Sequence, residues 1–192
     1  MHSIWQGKRV RLRALELDDW RFFFSWNDTE TGRMVHYVEF PQSAASAEEW
    51  VKKEANKSPQ NDQMHLMIET LDGHRVGIIN PHTTDRRTGT FSYGIAVHPD
   101  YRGRGYASEA ICLLMRYFFD ELRYQKCTID LYSYNVASIA LHERLGFTQE
   151  GRLRRMIFTN GQFFDQLFYG MTIEEYRVKL PDFKQVGFEP AG

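Results

Sequence analysis

Two glycines one residue apart, in Arg102-Gly103-Arg104-Gly105-Tyr106-Ala107, lie between an apolar strand ending at Val97 and a long amphipathic helix. This junction restricts the chain more than any other feature. Glycine reaches backbone conformations closed to other residues and lets a ligand approach the main chain. Successive N–H groups at a helix start, with the positive end of the helix dipole, suit phosphate oxygens. Arg102 and Arg104 add local positive charge. A plain helix cap would use the same residue types, so the loop acquires meaning from the strand before it and the helix after it. A P-loop would need a Gly-Lys-Ser/Thr ending, which is absent. A dinucleotide fingerprint would need a third glycine where Ser108 stands, and a parallel βαβ setting that the hairpins upstream do not offer.

The remaining pattern describes one mixed α+β (α/β) domain. Arg9, Arg11 and Arg13 alternate with Val10, Leu12 and Ala14 as a strand with one wet face. Asp18 or Asp19 is placed to cap a helix through Trp20–Trp26, and Ser46 with Glu49 to open a second through Trp50, Val51 and Ala55. His65–Thr70 and Arg75–Ile79 read as a hairpin about Asp72-Gly73, ended by Asn80-Pro81, and Thr88–Val97 as the next strand. Apolar residues at helical spacing predict a helix over Tyr106–Leu122. Thr128–Tyr132 reads as a strand, Ala137–Leu145 as a helix stopped by Gly146, and Asn160-Gly161 as the type I′ turn between Leu153–Phe158 and Phe163–Met171. The expectation is a mostly antiparallel six- to seven-stranded sheet with about four helices over residues 1–180, and a loose tail over 181–192.

Bulk properties exclude several function classes. Apolar residues at 42% and aromatics at 15% exceed what a disordered chain carries. The 24 basic and 25 acidic residues nearly cancel, so no global field draws nucleic acid or an anionic membrane. Lys8, Arg9, Arg11 and Arg13 interrupt the place of a signal peptide, and no stretch approaches a membrane span, so a soluble cytoplasmic protein is expected. Cys112 and Cys127 lack metal-ligand spacing and are expected to be buried and inert, with no metal site.

With those residues in view, Val97-His98-Pro99-Asp100-Tyr101-Arg102-Gly103-Arg104-Gly105-Tyr106-Ala107-Ser108-Glu109-Ala110 resembles the acyl-CoA signature of the GNAT superfamily, Gln/Arg-x-x-Gly-x-Gly/Ala, through Arg102, Gly105 and Ala107. Asn135-Val136-Ala137-Ser138-Ile139-Ala140-Leu141-His142-Glu143-Arg144-Leu145-Gly146-Phe147 resembles the second signature, a helix ending in Leu-Gly-Phe. The likeness runs from the Arg11-Leu12-Arg13 strand to the closing hairpin with Asp165. It is similar to the branch of ribosomal-protein N-terminal and polyamine acetyltransferases.

The resemblance implies a sheet splayed at its centre, where the strand ending near Val97 parts from Thr128–Tyr132 and holds the pantetheine of acetyl-CoA. The implied cofactor-binding residues are Ala96, Val97, Arg102, Gly103, Arg104, Gly105, Tyr106, Ala107, Asn135 and Ser138, with a backbone N–H near Ala96 or Val97 on the oxyanion. A bound primary amine, small or peptide, then attacks the thioester directly in a ternary complex. The glutamate that many relatives carry before the loop is replaced by Ser92, leaving His36, Glu39, His65 or His82 as substitute bases through water. His142 stands where many members have a tyrosine, and an imidazolium there is an expected proton donor to the departing thiolate. Arg152, Arg154 and Arg155 read as a solvated face or as a site for an anion. The aromatics Trp20, Phe22, Phe23, Phe24 and Trp26 surround their helix, so some line a substrate cleft or a homodimer contact. Tyr132 and Tyr134 read as flanking the acceptor or packing in the core. The rival readings are a non-catalytic acyl-CoA sensor, favoured by the Ser92 and His142 departures, and a pure interaction module on the same fold.

Overall fold

The computed structural model describes residues 3–26, 28–35 and 38–179. Among them run β1 (Val10–Ala14), α1 (Trp20–Ser25), α2 (Thr29–Val35), α3 (Ala44–Ala55), β2 (Leu66–Thr70), β3 (Arg75–Asp85) and β4 (Thr90–Val97). They are followed by α4 (Tyr106–Arg116), β5 (Lys126–Tyr132), α5 (Val136–Leu145), β6 (Thr148–Thr159), β7 (Gln162–Thr172) and α6 (Ile173–Lys179). The seven strands form one sheet in the order β1-β2-β3-β4-β5-β7-β6, antiparallel at every junction except β4 with β5. Tail residues 181–192 lie outside the described residues.

The core is built on α4. Ala110 to Met115 are all fully or almost fully buried, and Phe118 stacks on Phe91 of β4 at 4.2 Å between ring centroids. The helix was expected to run to Leu122. It ends instead at Arg116 and continues through one wider turn over Tyr117–Glu121, closed by the Leu122 N–H donating to the Tyr117 carbonyl. That turn seats Phe118, Phe119 and Tyr124 together against β4.

Several other expectations are corrected. Asn80-Pro81 does not end β3, which continues to Asp85. Pairing with β2 reaches only Ile79, so at Pro81 just one flank of β3 is paired and a missing donor is tolerated. α3 is capped three residues before Ser46, at Ser43, whose hydroxyl accepts the Ser46 N–H. α2 and α6 add to the expected four, giving six α-helices among the described residues.

Asp19 stands at the start of α1 but gives no side-chain cap. Its carboxylate is fully buried, accepts from the Glu16 N–H, and pairs with Arg13 and Arg75. Arg13 and Arg11 also share Glu69, so the wet face of β1 is an ion-pair ladder that continues into β2 and β3. Gly146 at φ 95° ends α5, and Asn160 and Gly161 at φ 49° and 73° form the expected turn. No helix among the described residues is long and apolar enough to cross a membrane.

Candidate active site

Parallel pairing between β4 and β5 lasts for two residues, Thr90 with Lys126 and Phe91 with Cys127. The Ser92 and Thr128 hydroxyls then share a hydrogen bond at 2.9 Å, and beyond them the strands diverge. The opening is a cleft of about 320 Å³. Alternation along each strand gives it two faces. Tyr93 and Ile129 belong to the core beneath α4 and α5, while Ser92, Gly94 and Ala96 turn the other way, as do Thr128, Asp130 and Tyr132.

Alternation also sorts the backbone donors. The His98 N–H donates to Val76 on β3, so the Ala96 N–H points toward β3 as well, and those of Ile95 and Val97 point into the opening. The Ala96 carbonyl also lies against Gly77, where an added Cβ would meet it at 2.3 Å.

At the outer end of the cleft, Gly103 and Gly105 adopt φ 75° and 82°, and Gly105 is the N-cap of α4. Nothing lies within 4 Å of the Cβ position of Gly103, whereas a side chain on Gly105 would run into the Arg9 guanidinium at 2.3 Å. The loop thus has an open face and a filled back. Arg9 Nη1 donates to the Arg104 carbonyl at 2.9 Å, placing an unforeseen positive charge behind the loop. Glu109, in the first turn of α4, accepts the N–H groups of Lys8, Arg9 and Val10 and ties β1 to the same helix end. No motif pointed to either contact, because the partners are about 100 residues apart.

Arg102 and Arg104 do not aim into the loop. Arg102 donates to the Val97 carbonyl and to Thr31 of α2, and Arg104 donates to the Asp100 carbonyl and lies over the Tyr101 ring. Asn135 accepts the Ser138 N–H as the α5 cap and donates to the Met34 carbonyl, while the Tyr134 hydroxyl donates to the Arg33 carbonyl. α2 therefore spans the cleft mouth, held by Arg102 on one bank and by Tyr134 and Asn135 on the other.

His142 is 1% exposed. Its Nδ1 lies 2.8 Å from the Ser138 carbonyl, which can only accept, so Nδ1 carries the proton and Nε2 accepts from the Tyr93 hydroxyl at 2.9 Å. Burial lowers its pKa to about 4. The imidazolium expected from the sequence is therefore corrected to a neutral ring that holds Tyr93.

Of the substitute bases, Glu39 is exposed and pairs with Gln42, His65 is held by Glu54 and Trp50, and His36 lies outside the described residues. His82 lines the cleft. Arg152 is paired with Asp165, and Arg155 lies over Phe163, on an exposed face away from the cleft. Phe22 and Trp26 pack on His98 and Phe23 on Trp50, so the α1 aromatics join α1 to the loop strand and to α3. Cys112 and Cys127 are fully buried, and burial pushes the Cys112 thiol up to about 12. Among the described residues no group of three or more histidines, cysteines or carboxylates could hold a metal ion.

Residues 9–148 match the family described as the Acetyltransferase (GNAT) domain. The chain belongs to the GNAT family. It is an acetyl-CoA-dependent N-acetyltransferase that passes an acetyl group to an amine. It is 41% identical over 176 residues to the SPbeta prophage-derived uncharacterized N-acetyltransferase YokL of Bacillus subtilis, covering 92% of this chain and 97% of that one. It is 27% identical over 154 residues to the spermidine N(1)-acetyltransferase of Escherichia coli, covering 80% and 81%. The fold is shared with the spermidine N-acetyltransferase of Vibrio cholerae in complex with CoA and spermine, at TM-score 0.75 and 23% identity over 88% and 99% of the two chains.

Proposed function

We propose that this acetyltransferase holds acetyl-CoA and a primary amine together and transfers the acetyl group by direct attack. The observation that carries the reading is the end of β4–β5 pairing after Phe91 and Cys127, which opens main chain to ligands in the middle of a sheet. The amide groups of Gly103 to Ala107 at the α4 start bind the pyrophosphate, with Arg9, Arg102 and Arg104 as surrounding charge. Asn135 and Ser138 flank the pantetheine arm. The Val97 N–H, turned into the opening, donates to the developing oxyanion, a contribution on the order of 3 kcal/mol. Ala96, expected as an alternative, has its N–H on the β3 side.

The proton for the departing sulfur comes from the Tyr93 hydroxyl, which turns from His142 Nε2 to the sulfur as charge develops there, and His142 acts through Tyr93 by fixing its position beforehand. The acceptor is a small amine, a reading supported by the polyamine substrates in the relatives' names. A cytoplasmic location accompanies it, since the two thiols are unpaired and buried. A homodimer through the β6–β7 hairpin is supported by the exposed Leu153, Met156, Phe158 and Phe163.

Initial-velocity measurements with acetyl-CoA and a panel of primary amines test the reading. Intersecting double-reciprocal lines are expected, as a ternary complex requires. Parallel lines with acetylated enzyme accumulating would replace it with a ping-pong route.

A further inference from the structure

The acetyl-transfer reading leaves the acceptor amine without a station and without a base, and both are supplied by the cleft face opposite α5. β3 pairs His82 with Ser92, so the two share that face. Ser92 touches Thr128, and Asp130 follows two residues along β5 on the same side. His82 and Asp130 thus stand on opposite banks of the parting, and both line the cleft. Among the described lining residues Asp130 is the one carboxylate, and no lysine or arginine is present. The cleft therefore favours a cation and disfavours an anion. Asp130 Oδ2 accepts from Gln166 at 2.7 Å, which braces the carboxylate and leaves Oδ1 for a ligand.

His82 is braced too. Thr83 Oγ1 lies 2.9 Å from His82 Nδ1, and Thr83 is held at φ 48°, a strained conformation for a β-branched residue. The β3–β4 register shifts at this point. Such strain persists where the surroundings enforce it, often at functional sites. It turns the ring so that Nδ1 is occupied and Nε2 remains for the cleft.

We propose that Asp130 receives a cationic alkylamine and that His82 accepts the proton this amine must lose, an inference that rests on the acetyl-transfer reading above. One N–H bond of the ammonium breaks, its electron pair stays on nitrogen, and the proton moves to His82 Nε2. The amine then forms the N–C bond, the C–S bond breaks with its pair on sulfur, that sulfur takes the Tyr93 hydroxyl proton, and the second amine proton restores the hydroxyl. His82 returns its proton to water at the cleft mouth. Asp130 faces one positive charge before and after the first transfer, so it selects a cation without opposing the proton's move. Burial lowers the His82 pKa and the Asp130 charge partly restores it, so the ring is neutral near pH 7. The other titratable groups lining the cleft are Tyr93 from β4, Tyr132 from β5 and the neutral His142 from α5, with Asn80 from β3 and Asn135 and Ser138 at the α5 start as uncharged polar neighbours and Met34 from α2 as an apolar one.

The test uses the full chain, a panel of alkylamines, and an arylamine that is neutral at pH 7. Acetyl-CoA binding is measured by calorimetry in parallel. Asp130→Asn should raise KM for alkylamines at least tenfold and leave KM for the arylamine unchanged. His82→Gln, able to keep the Thr83 contact, should lower kcat roughly 10²- to 10⁴-fold. It should also remove the acid limb that wild type shows below about pH 6.5. Both variants should bind acetyl-CoA as wild type does. Circular dichroism checks the fold, and the exposed Asp130 position keeps the test open if His82→Gln fails to fold. An active wild type whose folded variants retain its KM and pH profile overturns this inference alone. A wild type that binds acetyl-CoA and acetylates no amine overturns the transfer reading and this inference with it.

Discussion

The Ser92 hydroxyl lies 2.9 Å from that of Thr128, and this contact is the last bond between two parallel strands before they diverge. A side chain larger than serine or threonine at either position would have to enter the cleft floor or push the strands apart. The small hydroxyl at position 92 thus closes the sheet below the opening.

Gly105→Val should abolish detectable CoA binding while leaving the far-ultraviolet spectrum intact. The left-handed φ of 82° costs an L-residue about 1–2 kcal/mol, and the new side chain also meets the Arg9 guanidinium. Titration calorimetry reads the result. Wild-type affinity in a folded variant would make the loop a helix cap and nothing more.

Tyr93→Phe should reduce kcat by roughly ten- to a thousand-fold with little change in acetyl-CoA affinity, since it removes the proton donor and keeps the ring. His142→Gln should have a smaller effect, because an amide can still accept from the hydroxyl. Equal rates for Tyr93→Phe and wild type, with chemistry limiting, would move the donor to solvent.

His142 also sets an acid limit on stability. Its folded pKa of about 4 lies below the usual 6.5, so the unfolded chain binds the extra proton first. The contribution is complete above pH 6.5 and is lost as pH falls toward 4, amounting to about 3 kcal/mol. Urea unfolding of wild type and His142→Gln between pH 4 and 7 should show a shallower pH dependence in the variant. Identical slopes would refute the assignment.

Asp19→Ala should destabilise the fold by about 3–5 kcal/mol, because Arg13 and Arg75 would keep their charges around a buried vacancy. Burial raises the Asp19 pKa, but the hydrogen bonds from Arg13, the Glu16 N–H and Arg75 outweigh it and hold it below its ordinary value. Its contribution is therefore present above the unfolded pKa near 3.9 and falls away in stronger acid. A melting temperature unchanged in Asp19→Ala would mean that water replaces the carboxylate.

The strands, α4, α5 and the hairpin turn were legible because each is written in local periodicity and turn chemistry. The glycine loop before α4 was legible because Gly103 and Gly105 need left-handed angles that other residues resist. α2 escaped notice since Thr29–Val35 carries a glycine and little apolar pattern, and it is held by contacts from Arg102, Tyr134 and Asn135, remote in sequence. The surroundings of His142 were not legible for a related reason. Its position in the motif was visible, but its protonation depends on burial and on Tyr93, which is 49 residues away.

The three amide bonds from Lys8, Arg9 and Val10 to Glu109 make the first strand a reporter for the far end of the molecule. A ligand that stills the α4 start also stills the carboxylate in its first turn, and amide hydrogen exchange at residues 8–10 slows accordingly. The reciprocal holds as well. Trimming the chain up to Val10 strips the Glu109 carboxylate of its donors and brings an unshielded negative charge next to the anion loop, so an N-terminal deletion would register as weaker phosphate affinity.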